Sequence, residues 1–217
     1  MLIVHHLNNS RSQRVLWMLE EIGLGYTVKS YERRADMSAP LELKALHPLG
    51  KSPVVEDLDG QEGRVVLVET GAVCEYLAEK VGGRLGVPSS YGDRIRYRQF
   101  LHYAEGSVMP ILFAMLVLSR VPFLGKVSAR KARPMLDVHL DFIENELSYR
   151  PWFAGNDITA ADIIMSFPLE AANARGLLGK NRKATLAWLD RIHARPAYQR
   201  ALEKGGAYSF ARPRSRA

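Results

Sequence analysis

The spacing of hydrophobic positions changes along this chain, and the change divides it. In residues 1–80, short apolar runs of strand-like composition, Leu2–His6, Tyr26–Tyr31, Pro53–Glu56 and Val65–Val68, alternate with two helical patterns, Arg11–Ile22 and Thr70–Lys80. The order is βαβ followed by ββα. The turn between the last two strands is marked by Asp57, Asp59, Gly60 and Gly63, too short a span for a crossover helix, so that pair is expected antiparallel. Residues 81–92 concentrate Gly, Pro and Ser and read as a linker. Every later segment has helical spacing: Asp93–Ser119, Ser128–Leu147, Thr159–Ala174, Arg182–Ala194 and Ala197–Lys204. The expected organisation is an α/β domain over 1–80, the linker 81–92, and an all-α bundle over 93–217.

Composition narrows the picture. At 217 residues and 47% hydrophobic, the chain can bury a substantial core. Its one cysteine, Cys74, excludes a disulfide framework and a multi-cysteine metal site, which fits a reducing compartment; a cytoplasmic protein without a bound metal is expected. Cys74 itself lies within a helical pattern, where a small buried apolar residue is the expected role. Met1–His6 lacks a basic segment and a long apolar stretch, and reads as a first strand and not a signal peptide. The longest apolar run, Val108–Leu118, contains Pro110 and is too short to span a bilayer, so no membrane insertion is expected.

The net charge is +7 and much of it is clustered: Arg130, Lys131 and Arg133; Lys180, Arg182 and Lys183; Arg212, Arg214 and Arg216. These clusters do not alternate with stacking aromatics, so a solvated face and a frayed end are the expected readings and no nucleic-acid partner is expected.

Candidate chemistry sits where strands meet helices. Leu7-Asn8-Asn9-Ser10-Arg11-Ser12-Gln13-Arg14 joins the first strand to the first helix, placing Ser10 at or beside the N-cap. Its hydroxyl could cap the helix or donate to a group lying over the exposed amides, and Asn9 and Ser12 compete for the second role. In Leu49-Gly50-Lys51-Ser52-Pro53-Val54-Val55, Pro53 opens a strand and leaves the adjoining backbone free to bind a ligand. Glu69-Thr70 stands at the start of a helix, where free N–H groups accompany a hydroxyl and a carboxylate. Together these segments describe a site for a short peptide bearing a carboxylate and an ammonium group. His5 and His6 lack partners at metal-ligand spacing, and one is expected to be a packed strand residue.

These motifs resemble the glutathione site of the glutathione S-transferase superfamily, and the resemblance extends along nearly the whole chain. Ser-x-x-x-Arg after the first strand is similar to the thiolate-stabilising position of the serine-type and the bacterial or fungal members. Trp152-Phe153-Ala154-Gly155-Asn156-Asp157-Ile158-Thr159-Ala160-Ala161-Asp162 resembles the capping motif of their C-terminal domain, with Thr159 as N-cap and Asp162 three residues on, which makes both folding residues. The resemblance implies a thioredoxin-like N-terminal domain plus a helical C-terminal bundle, glutathione as co-substrate, a homodimer, and an electrophile pocket between the domains.

The resemblance also assigns residues. Ser10 stabilises the thiolate, with Asn9 and Ser12 as rivals, and the main chain of Ser52, before a cis Pro53, holds the cysteinyl unit. Lys51 reaches the glycine carboxylate, Glu69 the γ-glutamyl ammonium and Thr70 its carboxylate; Arg11 and His47 are lesser contacts. Arg14 is expected to pair with a carboxylate. Along the helix from Asp93, His102, Tyr103, Glu105, Gly106, Met109 and Phe113 border the pocket but read as core or dimer contacts. Absence of cysteine from the first loop favours conjugation to small hydrophobic electrophiles, or peroxide reduction at the same site, over deglutathionylation; a non-catalytic binding or scaffold protein is the third reading.

The chemistry is feasible. A free thiol with pKa near 8.5 is only a few per cent ionised at pH 7, and lowering it by about two units requires about 2.7 kcal/mol. A hydroxyl hydrogen bond to an anion contributes roughly 1.5–3 kcal/mol and a helix N-terminus roughly 0.3–2. No general base is required.

Overall fold

The computed structural model describes residues 1–36, 38–61, 63–123 and 125–211. The first part of the chain forms β1 (Leu2–Leu7), α1 (Ser12–Ile22), β2 (Tyr26–Tyr31), α2 (Leu41–Leu46), β3 (Val54–Gly60), β4 (Gly63–Val68) and α3 (Thr70–Lys80). The remainder forms α4 (Tyr91–Tyr103), a π-helical turn (Ala104–Val108), α5 (Met109–Ser119), α6 (Gly125–Lys131), α7 (Arg133–Tyr149), α8 (Ala160–Ala174), α9 (Lys183–His193) and α10 (Pro196–Gly205). Two compact units result: Met1–Gly86 together with the segment from Ile192 onward, and Val87–Arg191.

In the first unit the sheet order is β2-β1-β3-β4. β1 runs parallel to β2 through the α1 crossover, and antiparallel to β3, which pairs antiparallel with β4. The hairpin is closed by Gly60 opposite Gly63; a Cβ on Gly60 would stand 2.5 Å from the Gly63 carbonyl oxygen. β3 starts at Val54, one residue after Pro53, because proline has no N–H for the ladder. α2 was not foreseen: it has six residues and buries only Leu43, too little for a periodic signal.

α1 ends at Gly23, whose φ of 70° is left-handed and whose N–H donates to the Leu19 carbonyl at 2.9 Å. Val15, Leu16, Trp17, Met18 and Leu19 are all buried, so the helix is covered on more than the sheet side. α10 supplies the second cover. Trp17 meets Tyr198 edge-on at 5.3 Å, Glu20 holds Arg200 at 2.7 Å and Lys204 at 2.5 Å, and Glu21 holds Arg195 at 2.5 Å. The segment from Ile192, expected in the helical bundle, thus belongs with the first unit, because these aromatic and ionic contacts lie on α1.

Asp57 on β3 has a fully buried side chain, bonded by Lys80 Nζ at 2.7 Å and Tyr76 Oη at 2.7 Å from α3 and by the Asp59 amide at 3.0 Å. Burial works against its ionisation, but these donors hold the carboxyl below the ordinary carboxylate range. The contact fixes α3 against the sheet, and with it the helix start at Thr70.

The second unit is helical throughout. The expected single helix 93–119 is broken by the π turn, since Pro110 at the start of α5 has no N–H to continue the α ladder. Likewise the expected helix 128–147 is two helices, α6 and α7, parted before Pro134. The continuous helical run Tyr91–Ser119 has 29 residues, and by length and composition it is long and apolar enough to cross a bilayer, contrary to the reading from Val108–Leu118 alone. Arg94, Arg96 and Arg98 lie in its first half.

Phe153 packs on Phe100 at 4.7 Å and on Trp188 at 5.2 Å in the core of this unit. Asp162, fully buried at the start of α8, accepts from the Thr159 amide at 2.9 Å, the Thr159 hydroxyl at 3.1 Å and the Phe153 amide at 3.0 Å. A capping box closes the helix as its sequence predicts. The basic residues Arg212, Arg214 and Arg216 lie outside the described residues.

Candidate functional site

The loop Asn8–Arg11 carries the chain from the end of β1 to the first amides of α1. Asn9 takes a φ of 49°, and its Oδ1 accepts from the Ser209 amide at 2.7 Å. Arg11 occupies the N-cap position without a side-chain cap. Ser10, immediately before it, accepts the Ser12 amide on its Oγ at 3.2 Å, which satisfies one of the helix's unpaired N–H groups.

The Ser10 hydroxyl is part of a longer chain. Its Oγ stands 2.7 Å from Ser12 Oγ and 3.3 Å from Ser52 Oγ. Ser12 is fully buried, and its Oγ lies 2.9 Å from His6 Nδ1 and 3.3 Å from the Leu7 amide. Burial pushes His6 down to about 4, opposed by a backbone hydrogen bond at Gly205. The imidazole is therefore neutral at pH 7. Ser52, half-buried, also donates to the His5 carbonyl at 3.2 Å, and its peptide bond to Pro53 is cis.

The other half of the site begins at the opposite strand of the hairpin. Val54 pairs with Val68, so Ser52-Pro53 and Glu69-Thr70 emerge at the same end of the sheet. Glu69 is exposed and adopts φ 67° and ψ 118°, a conformation that costs a non-glycine residue roughly 1–3 kcal/mol. Thr70 opens α3 with its side chain buried and accepts from Arg14 Nη2 at 3.2 Å. Arg14, for which the sequence suggests a carboxylate partner, thereby ties α1 to α3. Lys51 is exposed beside Ser52, and His47 is turned into its own loop, its Nδ1 accepting from the Leu49 amide at 3.4 Å.

The structure thus brings the Ser10 hydroxyl into contact with those of Ser12 and Ser52, and sets Glu69 and Thr70 at the same end of the sheet. Sequence reasoning did not foresee the role of His6: a strand histidine signals nothing until a hydroxyl from the next helix meets it. It also read Ser52 only for its backbone. His5 is a packed strand residue, held by Tyr31 Oη at 2.9 Å and Glu56 Oε1 at 2.7 Å. Cys74 is fully buried, and burial pushes its thiol up to about 12. Among the described residues no three His, Cys, Asp or Glu side chains converge as a metal site. A cleft of about 510 Å³ lies elsewhere, on the outer face of β4 and α3 between Gln61, Val65, Tyr76, Glu79 and Lys80, remote from these hydroxyls in the fold.

A mixed four-stranded sheet whose helix-start loops and cis-proline turn gather at one end defines a thioredoxin-like domain. Residues 10–80 match the family described as the N-terminal domain of glutathione S-transferase, and residues 108–196 match its C-terminal domain. Glutathione S-transferase 3 of Schizosaccharomyces pombe is 36% identical, over 94% of this chain and 88% of that protein. A solved glutathione S-transferase from Actinobacillus pleuropneumoniae superposes with a TM-score of 0.83 at 29% identity, over 99% of this chain and 98% of that one. A glutathione transferase family member from Pseudomonas fluorescens, solved with two glutathione molecules bound, superposes with a TM-score of 0.80 at 25% identity, over 93% and 92% of the two chains. The chain belongs to the glutathione S-transferase family, as its loop and capping motifs suggest.

Proposed function

We propose that this protein binds glutathione at the sheet end described above and transfers its thiolate to small hydrophobic electrophiles. The observation that carries the reading is the meeting of the Ser10 and Ser52 hydroxyls, 3.3 Å apart, beside the first amides of α1. A sulfur seated over that pair would meet hydroxyl groups and the positive end of a helix, the two devices that suffice to lower a thiol pKa by about two units. Of the three residues weighed in the loop, Ser12 is turned toward His6 and Asn9 is engaged by Ser209, which favours Ser10.

The rest of the tripeptide follows from the same end of the sheet. The Ser52 main chain would pair with the cysteinyl unit, Lys51 would meet the glycine carboxylate, and Glu69 and Thr70 would take the γ-glutamyl ammonium and carboxylate. Arg11 and His47 are outer contacts. The names of the relatives and the glutathione bound in the Pseudomonas fluorescens structure support the co-substrate. The protein acts in this reading as a cytoplasmic homodimer that neither enters a membrane nor binds nucleic acid.

The test is the ultraviolet absorbance of the glutathione thiolate, titrated against pH in the complex. A bound-thiol pKa well below the free value, together with turnover of an electrophile panel, is the expected result. Glutathione that binds with an unshifted thiol, or does not bind, would sink the reading.

A further inference from the structure

We infer that the hairpin formed by α5 and α6 is a lipid-contact surface, which lays the second unit against anionic headgroups of a bilayer without spanning it. This surface belongs to the second unit alone and is independent of the glutathione site.

A helix that is apolar on every face belongs in a core or against lipid. α5, Met-Pro-Ile-Leu-Phe-Ala-Met-Leu-Val-Leu-Ser, has no charged residue, yet it buries only Met109, Leu112 and Met115. Phe113, Val117 and Val121 follow one another at four-residue spacing, turned away from Leu112 and Met115, and all three are exposed. Past the helix end the Arg120 amide donates to the Val117 carbonyl and the Val121 amide to the Leu118 carbonyl, each at 3.1 Å, so the stripe continues into the turn.

The chain then folds tightly back. The Gly125 amide donates to the Val121 carbonyl at 3.0 Å, and a Cβ on Gly125 would stand 2.5 Å from the Leu118 carbonyl oxygen, so only glycine lets α6 begin this close to α5. Phe123 stands at the turn with a φ of 61°, a left-handed conformation uncommon for an aromatic residue, and its side chain is fully exposed. On α6, Val127 is about half exposed and shares its face with the exposed Arg130 and Lys131.

Charge decides what covers the stripe. From Gly106 to Leu136 the sequence holds Arg120, Lys126, Arg130, Lys131 and Arg133 and not one Asp or Glu. Arg133 is spent on Asp137 at 2.7 Å, while Arg120, Arg130 and Lys131 are exposed around the apolar tip. A second copy of this chain is a poor occupant, because a two-fold contact would set the same cations against each other. An apolar side chain projecting from the turn of a hairpin, ringed by cations, suits the boundary between headgroups and acyl chains, where anionic lipid attracts each nearby Lys or Arg. The contact is lateral: Tyr97, Phe100 and Leu101 are buried in the first half of the same helical run and Arg94 and Arg98 are exposed there, so the run stays with its unit.

The test is sedimentation of the whole protein with vesicles of phosphatidylcholine alone or with about one-third phosphatidylserine. Binding to the anionic vesicles at least about tenfold above the neutral ones is expected, lost in about 0.5 M salt. Phe123→Asn keeps a residue that tolerates positive φ and removes the ring; it and Arg130→Gln/Lys131→Gln are each expected to lower binding about tenfold, with turnover in solution unchanged. Phe123→Trp reads the contact directly, since Trp17, Trp152 and Trp188 are buried: brominated lipid is expected to quench the new tryptophan. Absence of binding to anionic vesicles at low salt, equal binding to neutral ones, binding that survives both sets of substitutions, or a Phe123→Trp signal that brominated lipid leaves untouched would each overturn the inference. So would a smaller assembly in Phe123→Asn by light scattering without vesicle binding in wild type, which would give the surface to a second copy. Circular dichroism confirms that each variant is folded.

Discussion

Replacing Lys80 by methionine should destabilise the sheet end that carries Glu69 and Thr70, and should do so only while Asp57 is ionised. The Asp57 side chain is fully buried and that of Lys80 is 31% exposed, so the pair lies between a surface ion pair and a buried one. Removing one partner of a fully buried pair costs roughly 3–5 kcal/mol, while an exposed pair contributes roughly 0–1. Here Tyr76 Oη at 2.7 Å and the Asp59 amide at 3.0 Å remain, and the N-terminal ammonium stands 3.9 Å away, so about 1–3 kcal/mol is expected at pH 7. Methionine retains the length and apolar stem of lysine, which keeps the packing term small.

The sign of the pH dependence is fixed by the depressed carboxyl. A folded-state pKa below the unfolded one contributes stability that is present above the ordinary value and is lost as pH falls through the folded value. The difference between wild type and Lys80→Met should therefore be largest near neutrality and shrink in acid. Native-state hydrogen exchange of the β3 and β4 amides reads this locally, without requiring the two units to unfold together. An equal difference at pH 7 and at pH 3.5 would refute the reasoning, because packing loss is indifferent to the charge on Asp57.

Three further outcomes are expected. Burial pushes Asp162 up to about 6 against an ordinary 3.8, so the folded state binds that proton more tightly and the associated stability, at most about 3 kcal/mol, is lost as pH rises from about 4 to 6. Asp162→Asn should consequently cost more at pH 4 than at pH 7 in denaturant melts; the opposite order would contradict it. Glu69→Gln should weaken glutathione binding about tenfold by calorimetry, and Lys51→Ala only two- to fivefold because Lys51 is exposed, whereas unchanged affinity in both would remove them from the site. Cys74, fully buried with its thiol pushed up to about 12, should resist an aromatic disulfide reagent in the native protein and react in denaturant; rapid native labelling would show that α3 opens.

The apolar runs of the first 80 residues and the helical spacing beyond them determined the order of elements, because a strand or an amphipathic helix is written in neighbours two to four residues apart. The capping box at Thr159 and Asp162 was legible for the same reason, being a contact within one helical turn. So were Ser10, Ser52, Glu69 and Thr70 as residues at strand and helix ends. The π turn and the break before Pro134 escaped the helical spacing because a proline leaves the apolar period intact while removing one donor.

What only the tertiary structure decided depends on partners far apart in the chain. Glu20 and Glu21 on α1 look like ordinary solvated acids until Arg195, Arg200 and Lys204 arrive from α10, and that pairing carries the C-terminal helix to the first unit. Asp57 looks like a turn residue until Tyr76 and Lys80 bury it. The sharpest case is the hydroxyl chain. Sequence places serines at 10, 12 and 52, but only the fold brings the Ser10 hydroxyl within 2.7 Å of Ser12 and 3.3 Å of Ser52, and sets Ser12 2.9 Å from the buried ring of His6. A hydroxyl has one proton to give, and which neighbour receives it is determined by whatever else is buried beside it.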